Sequence, residues 1–275
     1  MKRPHRAATR QRAQRVHIVG CRRSGTTLMM ELLWYSYAFS GRGEHETSLL
    51  EPVPPGQTLY LTKKPPDTTR IIRAFLRDSD TYLIAMLRDP RAVVASRHRD
   101  RPDVYFASFQ RWRAYAAAIK RLTDHPRCTV IRFESLITAP EAVQADLEAW
   151  LPFLTRCRAR AGGSCRTFAQ YPEGAAVPPL AESSLNGARP FDAARLDGWR
   201  SHLPRIKGQL EAHPDLAQSL IEFGYEADDA WIAMLEGIAP YRQTYKEAAP
   251  SPWRRWETNL RYRLKTRRYL RSRRI

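Results

Sequence analysis

The sequence predicts an α/β protein of three layers, with a central parallel sheet between helices and a helical part at the C-terminal end. Between residues 16 and 151, short apolar segments alternate with longer segments of helical spacing, which is typical of consecutive βαβ units. The segment YLIAML at 82–87 is apolar throughout, as a central parallel strand buried on both faces should be. A turn that contains glycine joins the first strand segment to the first helical segment.

The first two strand–helix pairs follow from the spacing of apolar residues. The segment VHIVG predicts a strand at 16–20, and leucines at helical spacing predict a helix at 28–37. A short strand is expected at 59–62. It is followed by a helix at 68–76, where isoleucine, phenylalanine and leucine share one side.

The remaining pairs continue the alternation. After the strand at 82–87, Pro90 fits a first helical turn, and we expect helices at 92–97 and 106–122. The segment CTVIRF predicts a strand at 128–133, and a helix is expected at 140–151. Residues 156–194 are rich in Gly, Pro, Ser and Ala and predict a loop, residues 195–237 are helical in pattern, and 253–275 predicts a terminal helix.

The net charge of +18 is concentrated at the two ends of the chain. Residues 1–15 carry +6 and residues 253–275 carry +9, which leaves only +3 for the body between them. We therefore expect a basic disordered arm at 1–15, one α/β domain at 16–245 and a basic amphipathic helix at 246–275. The tails should contact polyanions or an anionic membrane weakly, and no specific nucleic acid is expected.

The terminal helix carries an apolar stripe at helical spacing. Trp253, Trp256, Leu260 and Leu264 form it, among many arginines and lysines. The first interpretation is that this stripe docks onto the body of the protein, and the second is that it lies on an anionic membrane.

The N-terminal segment, the short apolar runs and the cysteine pattern predict a cytoplasmic protein. The N-terminal segment lacks the apolar core of a signal peptide, and no apolar run is long enough to cross a membrane. The cysteines contain no CxxC pair, which argues against a zinc site. Cys157 and Cys165 could form a disulfide, but two thiols are the expectation in a reducing compartment.

The most informative segment is Gly20-Cys21-Arg22-Arg23-Ser24-Gly25-Thr26-Thr27, between the first strand and the first helix. Backbone N–H groups in such a turn, together with the helix dipole, can bind an anionic group. The spacing is P-loop-like, but Thr26 stands where nucleotide triphosphatases and kinases need a lysine. The positive charge lies instead inside the loop, at Arg23. The pattern resembles the 5′-phosphosulfate loop of sulfotransferases that use PAPS (3′-phosphoadenosine 5′-phosphosulfate), and is most similar to tyrosylprotein sulfotransferases and their bacterial relatives.

A second motif follows the strand at 82–87. Arg88 ends this strand and Ser96 comes eight residues later. In the sulfotransferase family, an arginine and a serine in these positions bind the 3′-phosphate of the donor. The guanidinium can donate two hydrogen bonds to phosphate oxygens and the serine hydroxyl a third.

A third segment, Val130 to Leu136, resembles the family strand that ends in Arg-Tyr-Glu-Asp-Leu. The family tyrosine contributes to the nucleotide site, and Phe133 replaces it here. The resemblance therefore implies a nucleotide site formed by Arg23, Ser24, Gly25, Thr26, Thr27, Arg88, Ser96 and Phe133. It spans roughly residues 16–154, with a weaker similarity at Gly198-Trp199-Arg200.

The resemblance also implies catalytic residues. Arg23 occupies the position of the catalytic cation of the family. Thr62-Lys63-Lys64-Pro65-Pro66 resembles a Lys-x-Pro segment that carries a second catalytic lysine, so Lys64 is the first candidate and Lys63 the second. No cluster with metal-ligand spacing is visible, and sulfuryl transfer can use lysine and arginine in place of a metal.

The general base is expected in Gly43-Glu44-His45-Glu46-Thr47, which resembles a Gly-Glu-Glu-Thr segment with a catalytic glutamate. Alignment on Gly43 favours Glu44, and alignment on Thr47 favours Glu46. His45 is a third candidate, because imidazole can also accept the proton.

These features together predict a PAPS-dependent sulfotransferase (EC 2.8.2 type), which transfers a sulfuryl group to an acceptor hydroxyl by in-line displacement without a metal. The acceptor could be a saccharide, a peptide tyrosine or a lipid, and the loops at 34–58 and 156–194 should determine it. The alternative is a nucleotide kinase or NTPase with a degenerate phosphate loop.

Overall fold

The computed structural model has a central sheet of five parallel strands. It describes residues 12–98, 101–157, 167–171, 177–185, 187, 189–242 and 251–273. The strands are β1 Gln14–Gly20, β2 Gly41–Arg42, β3 Leu59–Lys63, β4 Thr81–Leu87, β5 Arg97–His98, β6 Arg101–Tyr105 and β7 Cys128–Arg132. The α-helices are α1 Thr26–Ser36, α2 Ile72–Arg77, α3 Pro90–Val94, α4 Phe109–Lys120, α5 Phe133–Thr138, α6 Pro140–Trp150, α7 Pro179–Leu185, α8 Leu203–Ala212, α9 Asp215–Glu222 and α10 Pro252–Ser272. Short 3₁₀ helices cover Pro65–Thr69, Phe168–Gln170, Ala193–His202 and Ala230–Leu235.

The order of the strands in the sheet is β2-β3-β1-β4-β7, and every pair is parallel. Alternate side chains of β4 enter two separate apolar cores. Leu83 and Ala85 pack with α4, whereas Ile84 and Met86 pack with α1 and α6. The predicted three-layer α/β class with a parallel sheet and a helical C-terminal part is therefore confirmed.

A crevice forms where the chain changes direction across the sheet. β1 lies between β3 and β4. The helix after β1 contributes Leu28 and Met29 to one core, and the helix after β4 contributes Val93 to the other. In open α/β sheets, ligands bind beyond the carboxyl ends of the strands at such a point. Both sequence motifs described above lie there.

The turn between β1 and α1 depends on its glycines. Gly25 has φ 87° and is the N-cap of α1, and a Cβ there would lie 2.4 Å from the ring of Phe133. Gly20 has φ 141°, and a Cβ there would lie 2.5 Å from the carbonyl oxygen of Met86. Glycine thus permits both the backbone angles and the close approach of neighbouring strands.

A small antiparallel hairpin, β5 with β6, interrupts the region predicted as two helices. The helix expected at 92–97 ends at Val94, and the helix expected at 106–122 begins at Phe109, where the Ser108 side chain accepts a hydrogen bond from the Arg111 N–H. This cap explains the later start. The predicted loop at 156–194 contains α7 and a 3₁₀ turn among its described residues.

The N-terminal boundary also differs from the prediction. β1 begins at Gln14, and Arg15 is 1% exposed, with its guanidinium donating to the carbonyls of Leu49 and Glu51. Arg15 therefore belongs to the sheet rather than to a basic arm. Residues 1–11 lie outside the described part of the chain.

The terminal helix docks through a face other than the one expected. Tyr269 is 4% exposed and its hydroxyl donates to Asp78, and Arg273 forms an ion pair with the same carboxylate at 3.1 Å. The stripe from Trp253 to Leu264 is exposed instead. The prediction that this stripe docks onto the body is wrong, because buried contacts with Asp78 select the tyrosine face.

The expectation of two thiols is wrong for Cys157, which is disulfide-bonded. Cys165 lies outside the described residues. Cys21 and Cys128 are buried free cysteines.

Gly25→Ala should lower the free energy of unfolding by about 2–4 kcal/mol, because it combines a left-handed backbone with a clash against Phe133. Gly56→Ala is the matched control, since Gly56 has φ 83° but nothing within 4 Å of an added Cβ. It should lower stability by only about 1 kcal/mol. Urea unfolding of both variants makes the comparison, and equal losses would contradict the packing of Phe133 on this turn.

Candidate active site

The carboxyl ends of four adjacent strands place one residue each around a single cavity of about 390 Å³. Lys63 ends β3, Arg23 follows β1, Arg88 follows β4 and Phe133 follows β7. The sheet order therefore brings together residues that are up to 110 positions apart in the chain. This volume is within the range of small-molecule sites.

Arg23, Lys63 and Arg88, here called the cation cluster, are held by polar contacts and not by carboxylates. Arg23 Nε donates to Ser96 Oγ at 2.6 Å. Lys63 Nζ donates to Thr27 Oγ1 at 2.9 Å. Among the described residues, none of the three has a carboxylate oxygen within 4.0 Å.

Arg88 connects the two sequence motifs. One of its terminal nitrogens donates to the Arg23 carbonyl at 2.9 Å, and its guanidinium carbon lies 4.2 Å from the centre of the Phe133 ring. Its buried Nε has no hydrogen-bond partner. A buried N–H without an acceptor is unfavourable, so this nitrogen is suited to receive an anionic oxygen from a ligand.

Burial lowers the pKa of all three side chains of the cation cluster. Desolvation lowers the pKa of Lys63 to about 8, with Glu46 and Glu31 acting in the opposite direction. Desolvation also lowers the pKa of Arg88 to about 10, partly offset by Glu134, and lowers the pKa of Arg23. An anion in the cavity would favour the charged forms. The cluster therefore has the electrostatic character of an anion-binding site.

The turn after β1 supplies the remaining part of the cradle. Gly25, Thr26 and Thr27 line the cavity at the N-terminus of α1, an eleven-residue helix. Ser24 is fully buried, and its hydroxyl donates to the Cys21 carbonyl at 2.5 Å, so it closes the turn and does not line the cavity. Backbone N–H groups and the helix dipole both favour an anion at this position.

The structure separates the two lysine candidates. Lys63 is 1% exposed and lines the cavity. Lys64 is absent from the lining, and its Nζ lies 3.9 Å from a carboxylate oxygen of Glu51. Lys63, the second candidate, therefore lies at the cavity, and Lys64, the first candidate, forms an ion pair elsewhere.

The three base candidates are also separated. Glu46 and His45 line the cavity, and Glu44 is exposed and does not. Burial is the main cause of a lowered pKa at His45, which keeps its imidazole neutral near pH 7 and able to accept a proton. Glu46 and His45 therefore both remain suitable as bases.

A buried network that the sequence did not reveal anchors the loop carrying these bases. Asp67 accepts hydrogen bonds from the Ser48 hydroxyl at 2.7 Å and from the Leu49 N–H at 2.8 Å. Its carboxylate lies 3.3 Å from His17 Nε2, and His17 Nδ1 lies 2.8 Å from Thr62 Oγ1. The loop is thus attached to β1 and β3, next to Lys63. His17 within an apolar strand segment was the one available sequence signal.

Part of the cavity lining comes from the C-terminal half of the chain. Its described residues include Tyr171, Arg189, Phe191 and Arg195, with the Tyr171 and Phe191 rings stacked at 6.3 Å. Phe106 also lines the cavity, with the guanidinium groups of Arg22 and Arg23 within 6.0 Å of its ring centre. None of these residues belongs to a sequence motif recognised above. Within the described residues, no group of three or more His, Cys, Asp or Glu side chains could hold a metal ion.

A scan against protein families found no match, and a search of curated proteins found no similar sequence. Solved structures are similar to this chain. The sulfotransferase domain of the Synechococcus PCC 7002 olefin synthase aligns with 72% of this chain and 92% of its own, at 16% identity and a TM-score of 0.43. A sulfotransferase domain from the curacin biosynthetic pathway aligns with 70% and 92%, at 14% identity and a TM-score of 0.43.

A structure of retinol dehydratase in complex with androsterone and the inactive cofactor PAP aligns with 96% of this chain and 82% of its own, at 11% identity and a TM-score of 0.33.

Proposed function

We propose that the protein is a PAPS-dependent sulfotransferase that acts on an acceptor hydroxyl. The observation that carries this proposal is the cation cluster, which lies at the carboxyl ends of β3, β1 and β4 without a carboxylate within 4.0 Å among the described residues. A small ligand with anionic groups at two positions would match the charge of the cation cluster. PAP and PAPS are such ligands, because each carries phosphate at both the 3′ and 5′ sides of the ribose.

The residues of the cavity fit this nucleotide in charge and type. The turn from Arg23 to Thr27 is suited to the 5′-phosphate, through backbone N–H groups at the start of α1. Arg88, with its unpaired Nε, is suited to the 3′-phosphate together with Ser96. Arg23 and Arg88 line the same cavity, whereas Ser96 does not line it and contacts it through its hydrogen bond with Arg23.

The chemistry requires a base and a cation near the reacting oxygens. Glu46, or His45 in the same loop, lines the cavity and would accept the proton of the acceptor hydroxyl. Arg23 and Lys63 can stabilise negative charge on the departing phosphate oxygen, and burial makes this stabilisation stronger than in water. PAPS supplies the sulfuryl group, whose bond to the 5′-phosphate breaks as a bond to the acceptor oxygen forms. We propose no metal requirement, because these cations can supply the charge a metal would.

The acceptor is a hydroxyl of a saccharide, a peptide tyrosine or a lipid. Four residues of the lining should contact it, namely Tyr171, Arg189, Phe191 and Arg195. Transfer of radiolabelled sulfate from PAPS into an extract, followed by separation into protein, glycan and lipid, would identify its class.

Saturating PAP should raise the melting temperature of the protein by about 5 °C, because the ligand binds the folded state alone. Arg88→Ala should abolish this shift, since it removes the main contact to one phosphate. Arg113→Ala is the control, because Arg113 forms a half-exposed ion pair with Asp215 and does not line the cavity. If PAP failed to stabilise the unaltered protein, the proposed function would be rejected.

PAP affinity should fall about tenfold between pH 7 and pH 9, because Lys63 has a pKa of about 8 in the free protein and loses its charge over this interval. The phosphates of PAP are already ionised above pH 7, so they do not contribute to the change. Titration calorimetry at several pH values measures the effect. Lys63→Met should bind PAP more weakly and with a flat pH profile. An unchanged slope in this variant would show that another group is responsible.

Glu46→Gln should lower sulfuryl transfer by about 100-fold or more while leaving the PAP-induced thermal shift intact, because a base acts on the acceptor and not on the donor. Glu44→Gln is the matched control and should retain transfer, since Glu44 lies outside the cavity lining. The assay is radiolabelled sulfate transfer into the extract. Loss of transfer in His45→Asn, with full transfer in Glu46→Gln, would assign the base to His45 instead.

A further inference from the structure

The terminal helix α10 has two faces with different surroundings. On the docked face, Tyr262 lies under the guanidinium of Arg70 at 4.5 Å, and Tyr269 donates to the buried Asp78. Arg273 adds the ion pair with Asp78. These contacts attach the helix to the body and fix which side of it faces outwards.

The outward face carries an exposed apolar stripe. Trp253 is 69% exposed, Trp256 54%, Leu260 40% and Leu264 55%. They recur at steps of three and four residues, so they share one side of the helix. Four of the six large hydrophobic side chains that are exposed in the described part of the chain belong to this stripe. Such a concentration on one helix indicates an interaction surface.

The charge around the stripe is strongly positive. Residues 252–273 contain nine lysines and arginines and a single acid, Glu257. Arg12 donates to the carbonyl of Arg273, so the first described residue of the chain lies beside the end of α10.

We propose that α10 binds the surface of an anionic lipid bilayer and lies in the plane of the interface. Tryptophan favours the headgroup level, leucine can enter the acyl boundary, and arginines on both sides can reach anionic headgroups. Leucines at two of the four stripe positions favour a lipid surface over a nucleic acid, which would use cations and stacked rings alone. Among the described helices, none is long and apolar enough to cross a bilayer, so the contact is at the surface.

The test is co-sedimentation of the full chain with vesicles of phosphatidylcholine and of phosphatidylglycerol. The unaltered protein should sediment with phosphatidylglycerol and remain in solution with phosphatidylcholine. Trp253→Ser/Trp256→Ser should lower the affinity for phosphatidylglycerol about tenfold or more, because the stripe supplies the apolar part of binding. The matched control is Leu76→Ser/Leu180→Ser, which alters the other two exposed leucines, at 50% and 65% exposure, and should bind as the unaltered protein does.

Three outcomes would overturn the proposal. Full binding of the tryptophan variant, with complete release by about 0.5 M salt, would mean a purely electrostatic attraction to any polyanion. Tighter binding to duplex DNA than to vesicles, lost in the same variant, would assign the stripe to nucleic acid. A dimer of the unaltered protein that becomes a monomer in the variant, by sedimentation velocity without lipid, would assign it to self-association. The measurement does not involve the nucleotide site, so its result is independent of the proposed function.

Discussion

The properties of the candidate site depend on positively charged side chains that are buried in a cavity with few carboxylates nearby. Desolvation lowers the pKa of Lys63 and of Arg88, which means that keeping these groups charged at neutral pH opposes folding. Hydrogen bonds from Lys63 to Thr27 and from Arg88 to the Arg23 carbonyl, with the Phe133 ring beneath Arg88, offset part of this cost. A bound dianion would offset more, so ligand affinity and the unfavourable burial have the same origin.

The parallel sheet is what makes such a cluster possible. Because β1 lies between β3 and β4, the carboxyl ends of these three strands open on one crevice, and each end contributes a cation. The glycines of the first turn allow the backbone to approach Phe133 and β4 closely. The His17–Asp67–Ser48 network then holds the loop of Glu46 next to the same crevice. The site is therefore built from rigid strand ends and one anchored loop.

Some residues of the candidate site could be located from their spacing in the sequence alone. The positions of Arg23 and Arg88 after β1 and β4 could be predicted, because a strand end followed by a helix places them without reference to the rest of the fold. Ser96 was expected beside them, but it does not line the cavity. The choice between Lys63 and Lys64 could not be predicted, because it depends on where β3 ends and on which of the two side chains faces the crevice. Glu44 and Glu46 have no periodic pattern to separate them, and only the anchoring of their loop does so.

The prediction of which face of the terminal helix docks onto the body was wrong for a similar reason. Both of its faces carry large side chains at helical spacing, Trp and Leu on one and Tyr on the other, so the sequence pattern fits docking by either face. The buried carboxylate of Asp78, 191 residues away from Tyr269, decides between them. The strand β6 likewise contacts residues far away in the chain, because the Tyr105 ring packs edge-on against His202 and Tyr241. Residues 158–166, 172–176, 186 and 188, within the predicted acceptor loop, lie outside the described part of the chain.

A crystal structure of the protein with PAP would show which residues hold each phosphate. We predict one nucleotide in the crevice, with its 5′-phosphate on the N–H groups of the turn from Arg23 to Thr27 and its 3′-phosphate on Arg88. A nucleotide bound elsewhere, or bound in the crevice with neither phosphate on these arginines, would contradict the account.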